Sequence, residues 1–274
     1  MQIRKPAVAG AFYPGNQQEL QMMMNSMLQP QPNDPLVQTL FGIIVPHAGY
    51  MYSGEVAARA YRCLVGKEYR RAVVVSPSHR EYFQGISVYD GDAYQTPLGT
   101  IEVDTELRNH IVALYPEIKV TSAGHRAEHA LEVQLPFLQS VLHNWRLVPL
   151  VMGEQSPKTI QMLAELIGRL AAPDTIIVIS SDLSHFYNRE TADHLDGFVE
   201  RTITTLDPDT LVEGLEQRRC EACGGGGIAS ILYAAKSIQG VKTRILARTD
   251  SGAVTGDTEE VVGYLSAILY KETV

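Results

Sequence analysis

Short apolar runs rich in Val and Ile alternate along this chain with longer segments whose apolar residues recur at helical spacing. The clearest runs are LFGIIVP, RAVVVSP, RLVPLVM and TIIVIS, and helical segments such as SGEVAARAYRCLV and SPKTIQMLAELIGRLA lie between them. Strands that are buried on both faces read as continuous apolar runs, and helices connect such strands when they are parallel. We therefore predict an α/β fold: one domain over residues 1–274, with a mainly parallel, mixed central sheet flanked by helices.

The composition fits this prediction and excludes several functional classes. The 274 residues are 45% hydrophobic and 20% charged, which supplies enough apolar material for a core. The formal net charge of −8 argues against a nucleic-acid-binding protein, because phosphate contacts need clustered Lys and Arg. No apolar stretch approaches the roughly 20 residues of a membrane span.

The N-terminal and cysteine patterns predict the compartment. The opening MQIRKPAVAGAFYPG has no apolar core of the kind found in secretory signals. The three cysteines, Cys63, Cys220 and Cys223, are too few and too unevenly spaced for a disulfide framework. We expect a cytoplasmic protein that has neither a membrane nor a nucleic-acid partner.

Histidine follows three of the predicted strands within a few residues. His47 comes after GIIVP, His79 after VVVSPS, and His185 after IIVISSDLS. The carboxyl ends of parallel strands lie at one edge of the sheet, and ligands bind in the crevice beyond that edge. We therefore expect the three imidazoles to share one polar site.

The residue types around these histidines suit metal chemistry. Neutral imidazole is a common ligand of iron, zinc and copper, and two His with one carboxylate form the site of many non-haem iron enzymes. A third His can act as general acid or base. Asp182 is either a ligand or a partner that orients an imidazole. The alternative is a Ser–His–Asp hydrolase that uses Ser180, Ser181 or Ser184 with His185, although the G-x-S-x-G motif is absent.

Other polar residues lie near these positions in the sequence. Tyr50 and Tyr52 follow His47 and either line a pocket or pack in the core. AEHALEVQ is interpreted as part of a helix, EHALEVQLPFLQSVL, that Pro136 bends or begins; it is not H-E-x-x-H, and we place Glu128 and His129 at the rim of the site. CEACGGGG contains C-x-x-C, but it lacks a second Cys pair and the strand-then-helix context of a redox motif, so we interpret its glycines as close packing.

The segments PHAGYMYSG, SPSH, EHALEVQLPFLQ and SSDLSH, in this order and at this spacing, resemble the Memo family. Its prokaryotic members are also named AmmeMemoRadiSam system protein B. PAVAGAFYP and TGDTEEVVGY extend the resemblance over essentially the whole chain. The family is similar in fold to the catalytic subunit of class III extradiol dioxygenases, which use non-haem iron(II). The resemblance thus implies a class III extradiol dioxygenase-like fold.

The resemblance also implies roles for individual residues. His47 and His79 match the metal-binding histidines, and His185 matches the acid–base position, with Asp182 beside it. Animal Memo proteins are similar but place a cysteine on the metal from the loop between the last two strands. This chain has RTDSGAVTGD there, without cysteine, so we expect Asp250, or else His185 or water, as third ligand. Without a thiolate, iron(II) or another divalent ion is favoured over copper(I).

Three hypotheses about function follow. The first is a metal-dependent, dioxygenase-like oxidoreductase that acts on an unknown small molecule. The resemblance also implies a functional association with radical-SAM and AMMECR-type proteins. The second is a binding module for a peptide or small molecule that uses the same cleft without turnover, and the third is the metal-free hydrolase.

Overall fold

The apolar runs of the sequence form the strands of a mixed sheet. In this computed structural model, which describes residues 1–35, 37 and 39–271, nine strands belong to that sheet and three form a smaller one. In chain order the strands are β1 (Ile3–Arg4), β2 (Thr39–Val45), β3 (Arg71–Pro77), β4 (Ile86–Val88), β5 (Ala93–Thr96), β6 (Gly99–Glu102), β7 (Lys119–Val120), β8 (Arg146–Met152), β9 (Thr175–Ser180), β10 (His185–Tyr187), β11 (Val241–Asp250) and β12 (Val261–Lys271).

Helices connect these strands. They are α1 (Gln17–Met27), α2 (Tyr50–Arg62), α3 (Thr105–Leu114), α4 (Leu135–Val141), α5 (Pro157–Leu170), α6 (Arg189–Thr204), α7 (Pro208–Glu216), α8 (Gly225–Lys236) and α9 (Gly252–Thr255). Asp104 caps α3, because its side chain accepts the backbone N–H of Leu107. None of the helices in the described part of the chain is long and apolar enough to cross a membrane.

The centre of the large sheet is parallel. Strands β2, β9, β3 and β8 lie side by side in this order and run in one direction. β12 continues the sheet antiparallel to β2, and β4 continues it antiparallel to β8. β10 and β11 both pair with β12. The predicted α/β fold with a mixed central sheet is therefore confirmed, and its four central strands are parallel.

Alternate residues of the central strands face two separate apolar layers. Ile43, Val74 and Val178 belong to one buried cluster, which includes residues of α1, α2 and α4. Ile44, Val73 and Ile177, which alternate with them along the same strands, belong to a second cluster on the opposite face. That cluster includes residues of α5, α6 and α8. Both faces are covered by helices, which explains why these strands read as continuous apolar runs.

The segment around residues 128–141 differs from the sequence prediction. A 3₁₀ turn covers Glu132–Gln134, and the α-helix begins only at Leu135, with Pro136 in its first turn. Upstream, the carboxylate of Glu128 accepts the N–H groups of His129 and Ala130, so it holds a turn in place of helical hydrogen bonds. The expected helix over EHALEVQLPFLQSVL is therefore wrong before Leu135, and Pro136 marks its start.

Candidate metal centre

Two of the predicted histidines meet at the carboxyl edge of the parallel strands. His47 and His79 each lie two residues beyond the end of their strands, β2 and β3. Their ring centroids are 5.1 Å apart, and His129, from the turn before α4, lies 5.5 Å and 4.7 Å from them. The two strands lie on either side of β9 and run parallel to it, so their carboxyl ends bring both rings to one edge of the sheet, as the sequence predicts.

His47 is buried and held at three points. Its backbone N–H donates to Oδ1 of Asp182 at 2.7 Å, and its ring Nδ1 lies 2.9 Å from Oγ of Ser180. Nε2 lies on the other side of the ring, 3.1 Å from Sγ of Cys223. Burial, followed by the neighbouring His79, lowers the pKa of His47 well below its ordinary value. The ring is therefore neutral, which is the form that binds metal.

His79 is oriented by Glu128. Its Nδ1 lies 2.9 Å from Oε1 of Glu128, and its backbone N–H donates to Oε2 at 2.5 Å. Burial alone would raise the pKa of Glu128, but hydrogen bonds from His79 and Ala130 bring that pKa down to about 2. The ionised carboxylate only accepts, so Nδ1 of His79 carries a proton and Nε2 is the ring nitrogen left to face a metal. This is the carboxylate–histidine pairing that commonly supports a metal ligand.

Cys223 completes the group. It lies just before α8, and its Sγ accepts the backbone N–H of Asp182 at 3.2 Å. Burial raises the pKa of this thiol. One donor atom from each of His47, His79 and Cys223 lies within 4.8 Å of the other two, a spacing that could hold a metal ion.

Asp250 lies outside this group. Its two carboxylate oxygens each accept from the guanidinium of Arg189 at 2.8 Å, at the end of β11. The structure therefore does not bring the expected third ligand to the histidines, and it places the thiol of Cys223 there. The sequence does not single out Cys223, because CEACGGGG lacks the second Cys pair and the strand-then-helix context of a functional motif. In the structure the cysteine comes at the end of a loop that opens a buried helix.

His129 belongs to a second group of possible donors, with His79 and Glu128. Its Nδ1 lies 3.2 Å from Oε1 of Glu128 but outside hydrogen-bonding geometry, so this buried nitrogen has no hydrogen-bond partner among the described residues. Burial lowers the pKa of His129 to about 4. Glu128 is already occupied by its hydrogen bonds to residues 79, 129 and 130, so the group with Cys223 is the better metal site.

Asp182 and His185 flank the group. The carboxyl of Asp182 is buried, and burial raises its pKa to about 7 despite the N–H groups of His47 and Ala48 that it accepts. Its Oδ2 lies 3.9 Å from Nε2 of His47. His185 is partly buried at the start of β10, and burial lowers its pKa. It is absent from both donor groups found among the described residues.

The two tyrosines have different surroundings. Tyr50 is buried, its hydroxyl donates to the carbonyl of Val133 at 2.5 Å, and its ring lies 4.9 Å from that of Phe137. It packs in the core and does not line the site. Tyr52 is partly exposed on the first turn of α2.

A pocket of about 440 Å³ lies beside Cys223, between β10 and the loop that joins α7 to α8. Both Cys223 and His185 line it, together with Tyr187, Glu221 and apolar residues such as Leu215. Its volume is within the range of small-molecule sites. On the other side, 29% of the His79 side chain is exposed, so the donor group is open to solvent as well.

Known proteins are similar in sequence to this chain over almost its whole length. A family model described as Memo-like protein matches residues 4–268. A MEMO1 family protein of Nitrosopumilus maritimus is 34% identical over 268 residues, covering 96% of this chain and 98% of its own. A MEMO1 family protein of Thermotoga maritima is 36% identical over 279 residues, and the alignment covers 97% of this chain and 99% of that protein.

A solved structure supports the fold alone. The uncharacterized protein JW3007 from Escherichia coli K12 aligns with a TM-score of 0.55 and 14% identity, over 85% of this chain and 100% of its own. The family match and the relatives above cover nearly every element described here, including the strands that carry His47, His79 and His185. The chain belongs to the Memo family.

Proposed function

We propose that this protein binds one divalent transition-metal ion through His47, His79 and Cys223, and that it is an oxidoreductase acting on a small molecule. The observation that carries the proposal is the convergence of two imidazoles and a thiol, whose donor atoms lie within 4.8 Å of one another. Both rings have a partner at Nδ1, which leaves their Nε2 atoms to face the group. The donor set suits a first-row transition metal.

Iron(II) is the metal we propose for the oxidoreductase. Bound iron(II) would supply one-electron and oxygen chemistry at this site. The sequence favours iron(II) over copper(I) because it predicts no thiolate ligand, and Cys223 removes that preference. Iron(II) stays the proposed metal because the family resemblance implies a non-haem iron site. Thiolate ligands also suit copper and zinc, so metal analysis must separate these three.

The roles of the remaining residues follow from their positions. Glu128 orients His79 and holds its proton at Nδ1. Asp182 anchors the backbone of His47 and directs its own N–H at Sγ of Cys223. His185 lines the same pocket as Cys223, and we propose that it donates or accepts a proton on a molecule bound there.

The hydrolase hypothesis has less support. Among the described residues, no serine hydroxyl is hydrogen-bonded to His185, and Ser180, which contacts His47, is fully buried. Its hydroxyl proton is donated to the carbonyl of Ala130, so it is not placed for attack on a substrate. A binding module without turnover would use the same pocket. Only a measurement of activity distinguishes this hypothesis from the oxidoreductase.

We also propose that the protein works in the cytoplasm, in association with radical-SAM and AMMECR-type proteins. Its cysteines, Cys63, Cys220 and Cys223, are free thiols, which suits a reducing compartment. A thiol ligand and iron(II) would both be protected there from oxidation.

Elemental analysis of anaerobically purified protein tests the proposal. We expect about one metal ion per chain in the wild type and loss of most of it in His47→Ala and Cys223→Ala. Cys63→Ala is the matched control, because Cys63 is a buried free thiol on another element, and it should keep its metal. Unchanged metal content in both site variants would show that the assignment is wrong. Oxygen consumption with candidate substrates then separates turnover from binding.

A further inference from the structure

The hydroxyl of Ser180 has a complete set of hydrogen-bond partners. It is the last residue of β9 and fully buried. Its oxygen lies 2.7 Å from the carbonyl of Ala130, 2.8 Å from Nε2 of Gln134 and 2.9 Å from Nδ1 of His47. A serine hydroxyl has one hydrogen to donate and two lone pairs that accept. A carbonyl can only accept, so the single hydrogen goes to Ala130.

The amide of Gln134 is fixed in one orientation. Its Nε2 lies 3.0 Å from the carbonyl of Pro46, which only accepts, and its Oε1 accepts the hydroxyl of Tyr61 at 2.9 Å. Nε2 therefore has its second hydrogen directed at Ser180. Gln134 and Tyr61 are themselves fully buried, so water does not substitute for these partners.

The remaining contact of Ser180 is with His47, and the ring must be the donor in it. The hydroxyl hydrogen is committed to Ala130, so Nδ1 of His47 carries the ring proton and Nε2 holds the lone pair that faces Cys223. A buried network with all its partners satisfied specifies one arrangement.

We propose that Ser180, held by Gln134, is a positioning residue that locks His47 in the Nδ1–H tautomer and so presents Nε2 as the metal-binding atom. The inference deepens the proposed metal site and rests on it. Neither residue touches the metal donors of His79 or Cys223 in the described structure. Partners that orient a metal-ligating His change metal affinity by roughly 10- to 100-fold when they are removed.

The tautomer can be measured without any metal. Two-bond ¹⁵N–¹H correlation spectra of the imidazoles, recorded on chelator-treated protein and assigned with His47→Gln, distinguish Nδ1–H from Nε2–H. We expect the Nδ1–H form in the wild type. A wild-type spectrum with the proton on Nε2 overturns the proposal whatever the variants do.

Metal affinity gives the second readout. By Zn²⁺ titration against a chelating indicator, Ser180→Ala should bind roughly 10- to 100-fold more weakly than the wild type, and its His47 signals should show mixed tautomers. Ser180→Thr keeps the hydroxyl and should restore affinity to within a few-fold. Ser230→Ala is the matched control, because Ser230 is equally buried and its hydroxyl bonds only backbone carbonyls of α5 and α8.

The outcomes separate this inference from the proposed function. If Ser180→Ala does not fold, Ser180→Cys, which keeps the shape but is a weak acceptor, should show the same direction of change. Wild-type affinity in Ser180→Ala or Ser180→Cys overturns the positioning role while leaving the metal site intact. If the wild type binds no Zn²⁺, the proposed metal site fails and the metal part of this inference fails with it. The NMR spectrum then still decides whether Ser180 sets the tautomer.

Discussion

A buried ion pair fastens the N-terminal segment to the turn that carries the site. Arg4 and Glu132 are both buried and form a salt bridge, and Arg4 also donates to the carbonyls of His125 and Glu128 at 2.8 Å and 2.5 Å. Glu132 further accepts the hydroxyl of Tyr13 at 2.6 Å. Its oxygens also accept two N–H groups of the N-terminal segment, at 2.7 Å and 3.0 Å.

Replacing Arg4 by Met should therefore be strongly destabilising. The variant keeps the apolar bulk of the side chain but leaves the carboxylate of Glu132 buried without a counter-charge, and it leaves two carbonyls without their donor. Breaking a buried pair in this way costs about 3–5 kcal/mol. For a chain of this size, such a loss lowers the melting temperature by roughly 6 °C or more.

The measurement is thermal and urea unfolding followed by circular dichroism, with Arg146→Met as control. Arg146 pairs with Glu102 at 3.7 Å, and both side chains are at least half exposed, so this exposed pair should contribute below about 1 kcal/mol. Equal stability losses in Arg4→Met and Arg146→Met would refute the reasoning, because burial is what separates the two pairs.

Further predictions concern other parts of the network. Burial holds the pKa of His125 at about 3, while the unfolded chain takes up this proton near pH 6.5. The free energy of unfolding should therefore fall by up to about 5 kcal/mol because of His125 as the pH drops from 6.5 towards 3. His125→Gln should make the plot of unfolding free energy against pH flatter in this range, and identical slopes in the two proteins would contradict this. Gly263→Ala should destabilise the fold by about 1–3 kcal/mol, because a Cβ there would lie 1.8 Å from Oδ2 of Asp196; a wild-type urea midpoint would argue against the close approach. Glu128→Gln should weaken Zn²⁺ binding roughly 10-fold or more while the chain stays folded, and unchanged affinity would remove Glu128 as the partner of His79.

Features that depend on local periodicity could be predicted from the sequence. The continuous apolar run before His47 and the similar run before His79 identified strands, and the strand ends placed both imidazoles at one edge. Asp104 could be identified as a helix cap because capping involves residues only a few positions apart. These predictions needed no knowledge of long-range contacts.

Features that depend on distant contacts could not be predicted. Cys223 meets His47 across 176 positions of sequence, and the turn that brings it there depends on how α7 and α8 pack. Asp250 was favoured by its place in a loop, but Arg189, 61 positions away, takes both of its oxygens. The sequence places Glu128 near the site. Its hydrogen bond with Nδ1 of His79, however, depends on a turn at residues 128–130, where the spacing of apolar residues predicts a helix.

The presence of Cys223 among the metal ligands is the central claim, and the absorption spectrum of cobalt(II)-loaded protein tests it most directly. A thiolate bound to cobalt(II) gives a ligand-to-metal charge-transfer band in the near ultraviolet. We predict this band in the wild type and in Cys63→Ser, and its loss in Cys223→Ser. A band that persists in Cys223→Ser, or a wild-type protein that takes up cobalt(II) without the band, would contradict the assignment.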